Sequence, residues 1–141
     1  MQGQVEDSLA ELFELPDEAS LDPRWTEAME RTRVYSLRPA KRVRPALVMV
    51  GYSLARGTLA VPAGLWRFAA GLELLHTFLL IHDDVADQAG LRRGGAALHH
   101  LLGQGRSGED KAVVVGDHLF ARSLEAMLSS GLPGAAEASR Y

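Results

Sequence analysis

The stretch from Glu73 to Gly94, ELLHTFLLIHDDVADQAGLRRG, constrains this chain most, because an apolar helical run ends there in three aspartates followed by two arginines. Asp83, Asp84 and Asp87 stand at i, i+1 and i+4, and so project from neighbouring parts of one helix end. Carboxylates this close repel one another and are costly beside apolar side chains unless a cation neutralises them. Mg²⁺ prefers oxygen ligands and completes its shell with water and substrate phosphates. The segment therefore predicts a metal-bridged phosphate site facing an apolar cavity.

One side of the predicted helix carries an imidazole, then apolar side chains, then carboxylates. At about 100° per residue, that side contains His76, Leu79, Leu80, Asp83 and Asp87. Asp84 lies at its edge. A core helix with a solvated acidic end is the alternative interpretation. The pair Arg92-Arg93 directly after the motif favours the ligand site.

Composition limits what else the chain can be. Its 141 residues predict one domain, long enough to bury a core. Apolar residues make up 47% and the net charge is −3, so no charge excess indicates a nucleic-acid or membrane-surface partner. The absence of cysteine excludes disulfides and thiolate metal sites, and a cytoplasmic location is expected.

Two apolar segments bear on membrane targeting. The first residues, MQGQVEDSLAELFEL, lack the basic start of a signal peptide. The longest apolar stretch, Val61 to Ile81, contains Arg67, Glu73 and His76, whereas a membrane span carries few or no charges. No stable membrane insertion is therefore expected.

Helical periodicity and turn residues predict an all-α chain. Asp22-Pro23 is typical of a helix start, with an N-cap followed by proline. Val113–Val115 is β-branched and also compatible with a short strand, but the apolar residues after it continue at helical spacing, which favours helix. The predicted helices are Val5–Leu15 before Pro16, Pro23–Val34 before Pro39, Pro45–Ala55 before Gly57, Pro62–Asp87 before Gly90, a short one at Ala96–Leu102 inside a Gly-rich loop (Gly94–Gly108), Asp110–Ser129, and the start of another in the last residues.

A basic segment, Lys41-Arg42-Val43-Arg44-Pro45, precedes the third predicted helix. Pro45 disfavours helical geometry at Arg44, which is therefore expected to be extended. The helix start adds N–H donors and a positive dipole end, and lysine and arginine both suit phosphate oxygens. A solvated basic loop is the alternative. The second basic pair and the acidic cluster in the same chain favour phosphate binding.

Three segments in order, AKRVRP, ELLHTFLLIHDDVADQAGLRRG and VVVGDHLFARS, resemble the first half of a trans-isoprenyl diphosphate synthase of the polyprenyl synthetase family. The resemblance spans roughly residues 41–123. It implies a helical bundle of the isoprenoid synthase type, of which residues 1–141 would be the N-terminal portion of a single domain. It also implies head-to-tail transfer of an allylic diphosphate to isopentenyl diphosphate.

The resemblance implies roles for individual residues. Asp83, Asp84 and Asp87 would bind Mg²⁺ bridged to the allylic diphosphate, and Arg92 would contact that diphosphate. The diphosphate of isopentenyl diphosphate would be held by Lys41, Arg44, His76 and Arg93. Two diphosphates side by side repel strongly, so metal ions and several cations are needed to offset the repulsion.

Product length is predicted from the residue five positions before the first aspartate. In this family a bulky residue there tends to close the tail pocket, and here it is Phe78. The resemblance therefore implies a short-chain product, C15 to C20. The helical wheel places Leu79 nearer the aspartate face than Phe78, so Phe78 would have to block from the flank, and an ordinary core aromatic is the alternative.

Two departures from the family pattern matter. Ala40 stands where the basic motif usually opens with glycine, and no second aspartate-rich motif follows Asp87. The chain is thus expected to be a fragment of a synthase, a short homologue completed by a homo-oligomer or a complementing C-terminal chain, or a non-catalytic regulatory subunit. A class I terpene cyclase also uses an aspartate-rich helix, but it has no use for Lys41, Arg44 and Arg93.

Overall fold

Seven helices and one small hairpin make up the part of the chain that the computed structural model describes, residues 2–14 and 22–139. The predicted all-α class is confirmed. The elements are α1 (Gln2–Glu11), α2 (Pro23–Ser36), α3 (Val43–Arg56), α4 (Ala63–Ala86), β1 (Leu91–Arg92), β2 (Gly95–Ala96), α5 (Leu98–Leu102), α6 (Gly105–Leu128) and α7 (Ala135–Ala138).

The centre of the fold is the packing of α4 against α6, the most extensive contact between two elements, with α1 and α3 also against α4. Two glycines permit the close approach. A Cβ added at Gly71 would lie 2.8 Å from Cγ of Met127, and one at Gly116 would lie 2.5 Å from Nε2 of His82. Side chains such as Leu74 complete the buried core. Helix α4 is therefore held by α6 along one side, and this contact fixes the direction in which the residues on its opposite side point.

Local signals in the sequence place most helix ends correctly. Asp22 caps α2, and its carboxylate accepts a hydrogen bond from the Arg24 N–H at 2.8 Å. Gly57 closes α3 with a left-handed φ of 64°. Val113–Val115 lies inside α6, so the strand alternative is wrong. The first helix is Gln2–Glu11 rather than 5–15, and its predicted stop at residues 15–16 lies outside the described residues.

Helix α3 begins two residues earlier than predicted. Its first residue is Val43, and Arg42 precedes it as N-cap with left-handed φ and ψ of 46° and 43°. Arg44 is consequently helical rather than extended, which corrects the prediction. Pro45 is tolerated as the third helical residue, because the first four N–H groups of a helix have no partner within it.

The hairpin replaces part of the predicted Gly-rich loop. β1 pairs antiparallel with β2, and Leu91 lies opposite Ala96. The two residues between the strands, Arg93 and Gly94, both have positive φ, 50° and 76°. This is the pattern of a two-residue turn of type I′, where glycine is common and arginine is not. Strands of two residues are too short to show alternation in sequence.

Helix α4 has the length and hydropathy needed to cross a membrane, and it is the single helix of this kind in residues 2–14 and 22–139. Of its most apolar window, 44% is buried within the fold. Core helices of soluble proteins have the same length and composition, so one such helix is weak support for a span.

Candidate functional site

The aspartates at the end of α4 lie in two different environments. Asp83 and Asp87 are exposed, one helical turn apart, and their carboxylates make no hydrogen bond or ion pair with the residues that the structure describes. Asp84 lies 100° further round and is fully buried, with an exposure of 0%. The helix thus presents two open carboxylates to one side and hides the third on the other.

The buried carboxylate of Asp84 accepts hydrogen bonds from two residues, Tyr35 and Arg92. The Tyr35 hydroxyl of α2 donates to its Oδ2 at 3.1 Å, and the Arg92 Nε donates to its Oδ1 at 2.8 Å, with Arg92 Nη2 as a second contact. Burial and the charge of Asp84 raise the pKa of Tyr35 above its ordinary value. The hydrogen bond to Asp84 raises the pKa of Arg92. Asp84 therefore anchors Arg92 to the helix.

The three aspartates do not converge. Within residues 2–14 and 22–139, no group of three or more acidic or histidine side chains has an arrangement that could hold a metal ion. Asp83 and Asp87 fit Mg²⁺ as a pair, since this ion takes one or two protein carboxylates and leaves its other positions to water and phosphate. The carbonyl end of a helix also favours a nearby cation. The predicted third ligand, Asp84, faces the hairpin instead.

The predicted diphosphate-binding cations meet in a cavity of about 250 Å³ between the α2–α3 loop, α4 and the hairpin turn. Its lining includes the four predicted residues, Lys41, Arg44, His76 and Arg93. They come from three distant parts of the chain. We refer to this cavity and these four residues as the cationic cradle. A larger, mostly apolar concavity of about 660 Å³ lies elsewhere, beside Trp66 and the α3–α4 loop.

A buried glutamate that the sequence did not single out lies under the cradle. Glu73 is 2% exposed, and its Oε1 accepts hydrogen bonds from Arg42 Nη1 at 2.9 Å and from Arg93 Nη2 at 3.3 Å. Arg42 itself is 4% exposed and also donates to the carbonyl of Ser36. The signal in the sequence for this pairing was a glutamate inside an apolar stretch, since a carboxylate that is buried nearly always has a charged partner.

Two groups of the cradle have incomplete hydrogen bonding or an altered pKa. Arg93 Nη1 is buried and has no partner in the described part of the chain. Burial and the charge of Arg42 lower the pKa of Arg93. Burial and the charge of Arg44 lower the pKa of His76, so its imidazole is mainly neutral near pH 7. An incoming anion would satisfy the Arg93 donor and favour a proton on His76.

The loop that follows α2 supports the hairpin through Arg38. Arg38 Nη1 donates to the carbonyls of Arg92 and Ala96 at 2.9 and 2.8 Å. A Cβ added at Gly95 would lie 2.8 Å from the Arg38 guanidinium carbon, so that residue must be small. The guanidinium also lies 5.0 Å from the Tyr35 ring centroid. The hairpin that carries Arg92 and Arg93 is therefore held by side chains from outside it.

Phe78, the predicted product-length residue, and its neighbour Leu79, a predicted substrate-binding residue, point in different directions. Leu79 is 49% exposed, on the same side as Asp83. Phe78 is half-buried and packs towards α6, with its ring centroid 5.2 Å from Phe120 and 4.6 Å from His82. Phe78 thus lies on the flank, where the helical wheel places it. His82 Nε2 lies 3.3 Å from the carbonyl oxygen of Val113 in α6, so this side chain contributes to the packing of the two helices.

Comparison with known proteins assigns this architecture to a family. The sequence profile of the polyprenyl synthetase family matches residues 26–139. A short chain isoprenyl diphosphate synthase of Methanothermobacter thermautotrophicus is 40% identical over 91 residues, which are 64% of this chain and 26% of that protein. Component 2 of the heptaprenyl diphosphate synthase of Geobacillus stearothermophilus is 38% identical over 95 residues, 67% of this chain and 27% of that protein.

Solved structures give the same result for the fold. A geranylgeranyl pyrophosphate synthetase from Pyrococcus horikoshii superposes with a TM-score of 0.76 at 27% identity, over 99% of this chain and 38% of that chain. A geranyltranstransferase from Thermotoga maritima superposes with a TM-score of 0.71 at 28% identity, over 92% and 44% of the two chains. The fold is that of an isoprenoid synthase.

The chain belongs to the polyprenyl synthetase family, a family of prenyltransferases, and it matches the N-terminal half of the solved members. It spans about a quarter of the length of the curated relatives described above. The family resemblance seen in the sequence is thereby confirmed.

Proposed function

We propose that this chain supplies the diphosphate-binding half of a Mg²⁺-dependent prenyltransferase, which condenses isopentenyl diphosphate with an allylic diphosphate to a C15–C20 product. The observation that carries the proposal is that two charged groups of opposite sign lie along α4. Its C-terminal end carries the open carboxylates Asp83 and Asp87, and the cationic cradle lies two turns earlier around His76. The hairpin places one arginine at each site.

At the first site, Asp83 and Asp87 would hold Mg²⁺, which neutralises charge on the allylic diphosphate as it leaves. Arg92 lies near enough to Asp83 for the charge of that carboxylate to contribute to the raised pKa of Arg92, after the larger effect of Asp84. Its Nε and Nη2 are held by Asp84, which leaves Nη1 for a diphosphate oxygen. In this proposal Asp84 acts by aiming Arg92 and not as a metal ligand.

At the second site, the cationic cradle would hold the diphosphate of isopentenyl diphosphate without a metal. Lys41 and Arg44 are exposed at the mouth, and Arg93 Nη1 is buried without a partner among the described residues. A phosphate oxygen would give that donor the partner it lacks. His76 would donate a hydrogen bond as well. Holding both substrates in register converts a bimolecular step into an intramolecular one.

In the reaction, the allylic C–O bond breaks, the double bond of isopentenyl diphosphate attacks the allylic carbon, and a proton leaves the new chain. The departing diphosphate would accept that proton. Leu79, exposed next to Asp83, would contact the hydrocarbon tail, and Phe78 would limit its length from the α6 side. These apolar residues also exclude water from the reactive carbon.

An exposed apolar face on α3 is a candidate contact for a further protein surface. Helix α3 presents an apolar stripe to solvent, with about half or more of each side chain exposed: Val43, Leu47, Val50 and Leu54. Side chains at i, i+4, i+7 and i+11 share one helix face, and an unpartnered apolar face of this kind marks an interaction surface. A second copy of the chain or a complementing C-terminal chain, acting in the cytoplasm, would cover it.

A non-catalytic subunit is the second candidate. One relative is itself named as a component of a synthase, and α3 exposes an apolar face that a partner chain would cover. Such a subunit would bind diphosphate and a partner chain without turnover.

The test combines binding with turnover. The chain, alone and mixed with the C-terminal half of the Methanothermobacter relative, is incubated with isopentenyl diphosphate, C5 to C15 allylic diphosphates and Mg²⁺. We expect C15–C20 products in at least the mixture. Absence of product with intact isopentenyl diphosphate binding would favour the subunit, and absence of both would end the prenyltransferase proposal.

A further inference from the structure

Two left-handed arginines of the site converge on one carboxylate. Among the described residues, three non-glycine residues have positive φ: Arg42, Gln88 and Arg93. Both arginines donate to the same oxygen, Oε1 of Glu73, which is 2% exposed on α4. We propose that Glu73 is a positioning residue, which holds Arg42 and Arg93 and thereby shapes the cationic cradle for isopentenyl diphosphate. This inference rests on the proposed function.

Arg42 sets the direction of the loop in front of α3. Its side chain turns inward to Glu73 and to the carbonyls of Ser36 and Arg38 at 3.0 and 3.3 Å. Lys41 on one side and the exposed start of α3 on the other therefore remain outside. The left-handed backbone at Arg42 is unfavourable for a residue with a Cβ, so a contact such as that with Glu73 must hold it.

Arg93 occupies the first position of the hairpin turn, again with a left-handed backbone. Glu73 binds its Nη2, while its Nη1 is buried and lacks a partner among the described residues. The carboxylate thus fixes one half of the guanidinium fork of a residue that lines the cradle. Without Glu73, the Arg93 side chain would lose the contact that directs it into the cavity.

Removing the charge of Glu73 distinguishes a positioning role from a purely electrostatic one. A carboxylate at the base of an anion site lowers the positive potential there. If Glu73 acted through its charge alone, removing that charge would strengthen diphosphate binding. If it acts by positioning, removing it weakens binding although the cradle becomes more positive. The two roles therefore predict changes of opposite sign.

The experiment measures isopentenyl diphosphate binding by titration calorimetry without Mg²⁺, so that only the cradle contributes. We expect Glu73→Gln to weaken binding by about tenfold or more, because small displacements of positioned groups have effects of this order. Binding of a C10 allylic diphosphate with Mg²⁺ should change by about twofold at most, since that site shares no partner with Glu73. General destabilisation would affect both sites alike.

The matched control keeps the net charge of the chain constant. Arg42→Met combined with Glu73→Gln removes one cation and one anion together, although Arg93 still loses its carboxylate partner. Urea unfolding of both variants therefore accompanies the binding measurement, because a buried charge without its partner is destabilising. The double substitution should also weaken isopentenyl diphosphate binding by about tenfold. Wild-type affinity in the folded double variant, or equal or tighter binding by Glu73→Gln, would overturn the inference alone. Failure of the wild-type chain to bind isopentenyl diphosphate would overturn the proposed cradle as well.

Discussion

Asp83 and Asp84 are neighbours in sequence, yet the fold gives them opposite surroundings. Asp83 faces outward with no hydrogen-bonding partner in the described residues, whereas Asp84 is buried against Tyr35 and Arg92. The same contrast holds between exposed Asp87 and buried Glu73. Of these four carboxylates on and at the end of α4, the outer two are free for a ligand and the inner two anchor arginines. A motif of similar residues thus contains two different physical roles.

The largest expected effect comes from the outer pair. Asp83→Ala should reduce the rate of product formation by about 10²–10³-fold, as removal of one group that stabilises transition-state charge does elsewhere. The free energy of unfolding should change by less than about 0.5 kcal/mol, because the side chain is exposed and unpaired. The exposed Asp110, which forms only a surface pair with Arg106, provides the matched control as Asp110→Ala. Product formation at the control's rate by Asp83→Ala would contradict its assignment.

Substitution of the buried Asp84 should lower the free energy of unfolding, unlike that of the exposed Asp83. Asp84→Ala removes charged hydrogen bonds to Arg92 and leaves the Tyr35 hydroxyl buried without a partner. We expect a loss of about 2–3 kcal/mol in the free energy of unfolding, measured in urea. The estimate lies below the value for a fully buried ion pair, since the Arg92 side chain is 32% exposed. An unchanged urea midpoint would show that the buried anchor contributes nothing.

The adjacent pair Phe78 and Leu79 repeats the comparison one turn earlier. Phe78 packs sideways against Phe120 and Leu79 faces outward, so they should affect product length differently. Phe78→Ala opens the flank and should lengthen the main product by about one or two C5 units, because about one ring volume is removed. Leu79→Ala should leave the product length unchanged. Products are separated by reversed-phase chromatography after dephosphorylation. Equal effects of the two substitutions would refute the directional assignment.

The smallest expected effect is a dependence of the free energy of unfolding on pH that comes from the buried His99. His99 is 4% exposed, both its ring nitrogens lack partners in the described residues, and burial together with His100 lowers its pKa. The unfolded chain therefore takes up a proton at higher pH than the folded one. Stability is present above about pH 6.5 and declines as the pH falls towards the lower folded pKa. His99→Leu should flatten this decline in unfolding experiments between pH 7 and 5. An unaltered slope would exclude His99 as its source.

Part of this arrangement could be predicted from the sequence. Caps and turn residues placed α2 and α4, and the 100° spacing placed Leu79 and Asp83 on one side and Asp84 at its edge. The helix positions depend on local geometry and on the residue types themselves. The family resemblance, and not the spacing, grouped the four residues of the cationic cradle, which line one cavity.

The remainder depends on contacts between distant residues. Spacing along a helix gives the angle of a side chain but not what lies opposite, so Asp84 could not be matched to Tyr35, which is 49 residues away. The hairpin consists of two-residue strands that are held by Arg38, Asp84 and Glu73, all of which lie outside the hairpin. In the sequence, Glu73 was only a charge inside an apolar stretch, and Arg42 was only one member of a basic loop. Their pairing became visible only when the fold had buried both.

The central claim is that Asp83 is a metal-side carboxylate and Asp84 an arginine anchor. The most direct test compares Asp83→Asn with Asp84→Asn, which are equal in charge and size, by titrating a C10 allylic diphosphate with and without Mg²⁺. We predict that Asp83→Asn loses the gain in affinity that Mg²⁺ provides, while Asp84→Asn retains that gain with weaker binding overall. Loss of the Mg²⁺-dependent gain in Asp84→Asn, with its retention in Asp83→Asn, would contradict the account.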